Sequence, residues 1–322
     1  MASKNVNPSV CVVIPAYKAE MHILKVLEAI PSIVSRVIVV DDACPQGTGK
    51  LVASNCSDSR VEVIFNNENL GVGGAVVAGY KQALKQEHAV IVKLDADGQM
   101  EPARISQLIG PITRGQADYS KGNRFDSLED LEQMPRVRIF GNAILSLLSK
   151  ASSGYWQITD PTNGFTAIHR SVLRKINLEK LRKTWFFESD MLFRLSILKA
   201  VVVDVPMPAR YQDETSNLKI GSVVWEFIVR YGLNHFKRIF YAYYLREWSA
   251  ASLELPLGLG LTVGGIVSGI SFWLQGIQSG APATIGQVML STIALVLGVQ
   301  FILAFLASDI SQEPSRPRHL DL

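Results

Sequence analysis

The chain holds 322 residues, room for one large domain and a smaller one, with 48% hydrophobic and 19% charged residues and a formal net charge of +3. So slight a positive excess excludes a surface that binds nucleic acid over its whole extent. Three cysteines (Cys11, Cys44, Cys56) and five scattered histidines match no zinc or redox spacing, and read as ordinary residues of a reducing, cytosolic setting.

The first nine residues are polar and run straight into an apolar stretch, so no cleavable signal segment is expected. Val10 to Ile14 is a short apolar run stopped by Pro15 and predicts a buried strand. Ile23, Leu24, Leu27 and Ile30 recur at helical spacing, and Pro31 closes that segment. Arg36 to Val40 predicts a second strand ending at Asp41-Asp42. Helical spacing over Gly49 to Asn55 and a strand over Val61 to Phe65 follow. Asn69-Leu70-Gly71-Val72-Gly73-Gly74 opens a helix through Leu84, and Ala89 to Leu94 predicts a fourth strand ending at Asp95-Ala96-Asp97. Strands alternating with helices predict an α/β fold around a parallel sheet covered on both faces.

From Tyr119 to Arg210 the pattern is less regular. It holds Lys121-Gly122-Asn123-Arg124, an amphipathic stretch over Arg138 to Ser149, Asp160 to Phe165, Phe187-Glu188-Ser189-Asp190 and a strand over Val201 to Val205. Val223 to Trp248 interleaves Trp225, Phe227, Tyr231, Phe236 and further aromatics with Arg230, Lys237, Arg238 and Arg246. That mixture suits the headgroup region of a membrane, against the plainer reading of a core helix with a solvated basic face. Leu255 to Ser308 carries no Asp, Glu, Lys or Arg, and predicts two spans, about 255–277 and 284–307, joined by a short turn. Gly258, Gly260, Gly264, Gly265 and Gly269 place small residues where helices approach closely, which favours a homo-oligomer. Basic residues before the first span and after the second (Arg316, Arg318) predict that both ends stay cytoplasmic.

In parallel sheets ligands bind beyond the carboxyl ends of the strands, where strand order reverses. Two acidic motifs, Asp41-Asp42 and Asp95-Ala96-Asp97, stand at such ends, although each alone also reads as a turn former or helix cap. Asp95 and Asp97, one small residue apart, can lean toward one hard divalent ion, with Gln99 adding an oxygen directly or through water. Such an ion needs only one or two carboxylates when phosphate and water complete its shell, as for a nucleotide-sugar diphosphate. Asp42 can accept hydrogen bonds from a base or ribose. Gly71, Gly73 and Gly74 serve either close backbone approach to a ligand or close helix–sheet packing.

These motifs resemble glycosyltransferase family 2, and within it the polyprenyl-phosphate glycosyltransferases, such as dolichol-phosphate mannose synthases and bactoprenol glucosyltransferases. The resemblance rests on Ile14-Pro15-Ala16-Tyr17, Val39-Val40-Asp41-Asp42, Asn69-Leu70-Gly71 with Gly79, and Leu94 to Gln99. It continues through Gly122-Asn123-Arg124, Asp160 to Phe165 with Arg170, Glu188, Val205-Pro206, Arg210, Ser216 and Lys219. It implies a GT-A catalytic domain over 1–216, interfacial amphipathic helices over 217–250, a transmembrane hairpin over 251–310 and a cytosolic tail over 311–322. It also implies inverting transfer of one sugar, glucose from UDP-glucose, to polyprenyl phosphate at the cytoplasmic face of the plasma membrane, with Mg²⁺ or Mn²⁺. Pro15, Tyr17, Asp42, Asp95 and Arg210 would bind the nucleotide sugar, and Asp95, Asp97 and Gln99 the metal. Arg124, Arg138, Ser216 and Lys219 would face donor and acceptor phosphates, with Arg210 beside them. Asp160 and Asp97 would be the catalytic carboxylates, Asp160 as the candidate base.

A lipid monophosphate has a second pKa of about 6 and is largely a dianion at neutrality, so Asp160 is expected to orient the acceptor or handle its residual proton. The turn Asp41-Asp42-Ala43-Cys44-Pro45 and the long stretch from Arg210 to Lys219 depart from the family pattern. The absence of a Gln-x-x-Arg-Trp motif argues against processive synthesis. A sugar-phosphate nucleotidyltransferase would want a Gly-rich basic loop after the first strand, where Pro15-Ala16-Tyr17 stands. A non-catalytic membrane assembly subunit would not need Asp95, Asp97 and Asp160 intact.

Overall fold

A computed structural model describes residues 9–125, 136–208 and 220–322. The first elements follow the expected alternation: β1 (Val10–Ala16), α1 (Ile23–Glu28), β2 (Val34–Asp41), α2 (Thr48–Asn55), β3 (Val61–Phe65), α3 (Gly71–Lys85) and β4 (Val90–Lys93). Then come α4 (Ile105–Thr113), β5 (Tyr119–Asn123), α5 (Arg136–Ser153), β6 (Thr166–His169), α6 (Phe187–Ile197) and β7 (Val202–Pro206).

The seven strands form one sheet in the order β3-β2-β1-β4-β6-β5-β7, parallel except for β6, which runs antiparallel to both its neighbours. Strand order therefore reverses between β1 and β4, and Asp95 follows directly on the carboxyl end of β4. Alternation along each strand divides the core between two faces. Val10, Val12, Ile14, Val37, Val39 and Val92 pack under α1, α2 and α4, and Cys11, Val13, Ile38, Val40 and Ile91 under α3 and α6. On the second face the apolar row Ile91–Ile168–Tyr119–Val202 is followed, two residues toward the carboxyl ends of the parallel strands, by a polar row: Lys93–Thr166–Lys121–Asp204. Its β4 member, Lys93, stands two residues before Asp95.

The chain divides into two compact units, Met1–His235 with Pro314–Leu322, and Phe236–Glu313. The division falls inside helix α7 (Ile220–Phe240), within the segment expected to lie wholly at an interface. Phe227 and Tyr231 pack on Phe186 in the first unit, and the Tyr231 hydroxyl meets Ser189 Oγ at 2.7 Å. The other side of the same helix leaves Trp225, Val229 and Leu233 exposed, so it combines a core face with an uncovered apolar one. The terminal segment returns to the first unit. Asp118, fully buried, accepts from the backbone N–H groups of Arg318 and His319, and its carboxylate pairs with His319 Nδ1 at 2.8 Å.

The second unit is a π-helical turn (Tyr241–Arg246) and two long helices, α8 (Ala250–Ser279) and α9 (Ile285–Ser311), both long and apolar enough to cross a membrane. Gly258, Gly265 and Gly298 let the two helices meet. A Cβ on Gly265 would come within 2.8 Å of the Leu295 nitrogen, whereas Gly260 and Gly264 face open space. Arg238 forks onto both oxygens of Asp309 at 2.7 and 2.9 Å, and Tyr243 donates to the same carboxylate, closing the base of this unit.

Candidate active site

Asp95, Asp97, Gln99 and Arg124 line one open cavity of about 140 Å³, together with Arg104, Thr162, Asn163, Gly164 and Met207. Four predicted residues from two distant stretches thus converge beyond the carboxyl ends of β4 and β5. Asp97 Oδ1 accepts from the Gln99 backbone N–H at 2.9 Å, which turns the chain sharply after β4. Asp95 Oδ1 accepts from Lys93 at 2.7 Å. Its other oxygen lies against Gly164, where an added Cβ would collide with both Asp95 and Lys93, so only glycine leaves room for this pair. Among the described residues no group of three or more His, Cys, Asp or Glu stands together as a metal cage. Two carboxylates beside an open cavity fit an ion that completes its shell with phosphate oxygens and water.

Asp160 has no exposed surface and receives the Arg124 guanidinium as a fork, Nε to Oδ2 at 2.7 Å and Nη2 to Oδ1 at 2.9 Å. Asn163 Nδ2 adds a bond at 3.3 Å, and buried Lys121 donates to the Asp160 carbonyl. Burial alone would push the Asp160 carboxyl up, but the Arg124 ion pair and the charge of Lys121 hold it below the ordinary carboxylate range. Burial lowers the Lys121 ammonium and raises the Asp204 carboxyl, which lie next to each other in the polar row. Asp160 therefore holds the Arg124 guanidinium in a fixed orientation beside the cavity.

The nucleotide-side residues are more dispersed. Pro15 lies within β1 and Tyr17 follows it, 44% exposed. Asp42 is 3% exposed and its oxygens accept from Asn66 Nδ2 (2.7 Å), Leu70 N (3.0 Å) and Gly71 N (2.9 Å), so it caps the start of α3. Asp41 likewise takes the backbone N–H groups of Cys44 and Gly49. Between the two readings of the α3 glycines, the close approach is made by the chain itself: Gly73 N donates to Lys183 O at 3.0 Å, added Cβ atoms on Gly71 and Gly73 would strike the 182–183 backbone, and one on Gly74 would strike Leu70. Arg210, Ser216, Lys219 and the side chain of Arg138 lie outside the described residues.

Sequence reasoning missed Lys93. It is 1% exposed, and although burial favours loss of its proton, Asp95 and Glu188 hold the ammonium well above its ordinary range. A lysine closing an otherwise apolar strand was the available signal, since a buried charge demands a partner. Glu188 was noted only as part of a motif. It pairs with Lys93 at 2.9 Å from the first turn of α6.

The family described as "Glycosyl transferase family 2" matches residues 11–177. The chain is 30% identical over 233 residues to an undecaprenyl-phosphate mannosyltransferase of Micrococcus luteus, covering 70% of this chain and 94% of that protein. It is 27% identical over 227 residues to a UDP-N-acetylglucosamine–dolichyl-phosphate N-acetylglucosaminyltransferase of Methanococcus voltae, covering 65% and 90%. Glucosyl-3-phosphoglycerate synthase of Mycobacterium tuberculosis, solved with Mn²⁺, uridine diphosphate and glucosyl-3-phosphoglycerate, shares the GT-A fold. Its TM-score is 0.52 at 18% identity, over 72% of this chain and 80% of that one.

Proposed function

The chain belongs to glycosyl transferase family 2, and from that membership we propose that it transfers a single sugar from a nucleotide sugar to polyprenyl phosphate, inverting the anomeric carbon. The observation that carries this reading is the cavity shared by Asp95, Asp97, Gln99 and Arg124, which offers carboxylates for a metal and a guanidinium for phosphate in one space. A divalent ion, Mg²⁺ or Mn²⁺, held by Asp95 and Asp97 with Gln99 nearby, would neutralise charge on the departing diphosphate. Arg124, fixed by Asp160, presents its charge toward the phosphates of donor and acceptor. A phosphate oxygen of the acceptor then bonds to the anomeric carbon as the bond to the nucleoside diphosphate breaks. No proton need be removed from the dianion, which suits an Asp160 that is already ion-paired.

The acceptor is argued from the second unit as well as from relatives that act on undecaprenyl and dolichyl phosphates. Two apolar helices with outward Leu, Ile and Val side chains form a transmembrane hairpin. The chain enters it from the first unit and returns to that unit, so both ends lie on one side of the membrane, and the basic residues before the first span and after the second favour the cytoplasmic side of the plasma membrane. The exposed Trp225, Val229 and Leu233 on α7 rest in the headgroup layer. Gly260 and Gly264, open and one turn apart, are the contact for a second copy in a homo-oligomer.

Glucose from UDP-glucose is the donor proposed from the terminal pair of apolar helices, while the names of the relatives carry mannose and N-acetylglucosamine. Radiolabelled transfer to polyprenyl phosphate from a panel of UDP- and GDP-sugars, with Mg²⁺, Mn²⁺ or EDTA, tests the proposal. Transfer undiminished by EDTA would remove the metal, and no transfer from any donor would remove the reaction.

A further inference from the structure

Lys93 takes no part in the reaction as described, yet its ammonium uses all three of its N–H groups beside the site. It reaches Asp95 Oδ1 at 2.7 Å, Glu188 Oε1 at 2.9 Å and the Gly164 carbonyl at 3.2 Å. Asp95 and Gly164 both line the cavity but come from different segments: the turn after β4, and the 160–165 loop that also carries Asp160 and Asn163. The lysine therefore ties the Asp95 turn to the loop whose Asp160 holds Arg124.

We infer that Lys93 is a positioning residue for the metal: it fixes the orientation of Asp95 and clamps the Gly164 loop against it. Glu188 cancels the charge of Lys93, so the trio keeps the net charge of Asp95 alone and the clamp does not repel a cation. The inference rests on the reading that Asp95 and Asp97 bind a divalent ion. Partners that orient a metal ligand typically contribute about 10–100-fold to metal affinity.

The charge balance supplies the test. Lys93→Met alone would strand Glu188 in the interior without a partner. Lys93→Met with Glu188→Gln removes the clamp at constant net charge, in near-isosteric form, a replacement that buried ion pairs often tolerate. Mn²⁺ binding to the full chain in detergent, followed by electron paramagnetic resonance with UDP and GDP in parallel, is expected to weaken by about 10–100-fold while the melting temperature stays close to wild type. Raising Mn²⁺ should then restore part of the turnover. A folded double variant that binds Mn²⁺ within about twofold of wild type overturns the inference. Should the double variant not fold, Gly164→Ala decides, because its Cβ would press on Lys93 Nζ and Asp95 Oδ2 without changing any charge. Mn²⁺ affinity about 10-fold weaker is expected, and affinity within about twofold of wild type overturns the inference. If wild type binds no Mn²⁺ with either nucleotide, the metal reading itself falls and takes the inference with it.

Discussion

Asp160→Asn separates two roles for the buried carboxylate. The substitution keeps the shape and removes one charge from a fork of 2.7 and 2.9 Å with Arg124. Opposite charges about 4 Å apart interact by about 4 kcal/mol at an effective dielectric of about 20. Arg124 keeps 31% of its side-chain surface and recovers part of this from water, and an amide costs less to bury than a carboxylate. The net loss is therefore about 2 kcal/mol, a fall in melting temperature of about 4–8 °C for a domain of this size. The sign agrees with the depressed pKa: such a carboxylate contributes stability that is complete above its unfolded value of about 3.9 and is lost as pH falls through the folded one. Near neutrality the wild type has this stabilisation and the variant does not.

Activity is read from a pH profile of kcat/KM. Misorienting Arg124 should lower the plateau by about 10–100-fold, within the range that a small displacement of a positioning group produces. A lost general base could cost about as much, so magnitude alone decides nothing. The shape decides. With the acceptor phosphate as the titrating group, wild type and variant both rise through about pH 6 and flatten above it. A folded variant that is inactive even above pH 8, or one that lacks the ascending limb shown by wild type, would refute the positioning role and restore Asp160 as the base.

His169 offers a second pH test. Burial and the facing His319 ring hold it down to about 4, so it stays neutral in the folded chain while the unfolded chain takes up a proton near pH 6.5. Stability is full above that value and falls as pH drops toward 4. Melting curves of His169→Gln should be flatter over this window, and equal slopes would sink the idea. Gly164→Ala forces a Cβ against Asp95 and should lower stability by about 1–3 kcal/mol and weaken Mn²⁺ binding; a melting temperature and Mn²⁺ affinity equal to wild type would contradict the close packing. Gly260→Leu with Gly264→Leu should reduce the particle size in detergent, whereas Gly265→Leu, aimed at the α9 backbone, should lower the melting temperature instead. An unchanged size, or a wild type that is already monomeric, removes the oligomer contact.

Strands β1, β2 and β4 were legible because each is an apolar run ended by Pro15, Asp41 or Asp95 with both faces buried, and β3, only partly buried, was legible from its Val61, Val63, Ile64 and Phe65. The later strands β5 and β6 were not read as strands, for a physical reason. Lys121 and Thr166 interrupt their apolar pattern, and both stand in the polar row beneath the cavity. The residues that obscured the strands are those that support the site. Helix α7 was ambiguous for a different reason: Phe227 and Tyr231 are buried while Trp225 and Leu233 are exposed, and composition alone cannot assign aromatics to faces.

The two acidic motifs looked equivalent in sequence, and the turns that follow them account for the difference. After β2 the backbone curls back, so that the N–H groups of Cys44 and Gly49 reach Asp41 and those of Leu70 and Gly71 reach Asp42. An acidic doublet at 3% exposure is tolerable only with such donors, which fix the orientation of both carboxylates. After β4 the chain instead turns through Gly98, at φ +77°, and leaves Asp95 with 27% of its side chain exposed, at the edge where strand order reverses. There the compensating charge comes from below, from Lys93, rather than from backbone amides in front. A carboxylate neutralised from behind keeps a face toward the cavity, which is what the proposed metal ligand requires.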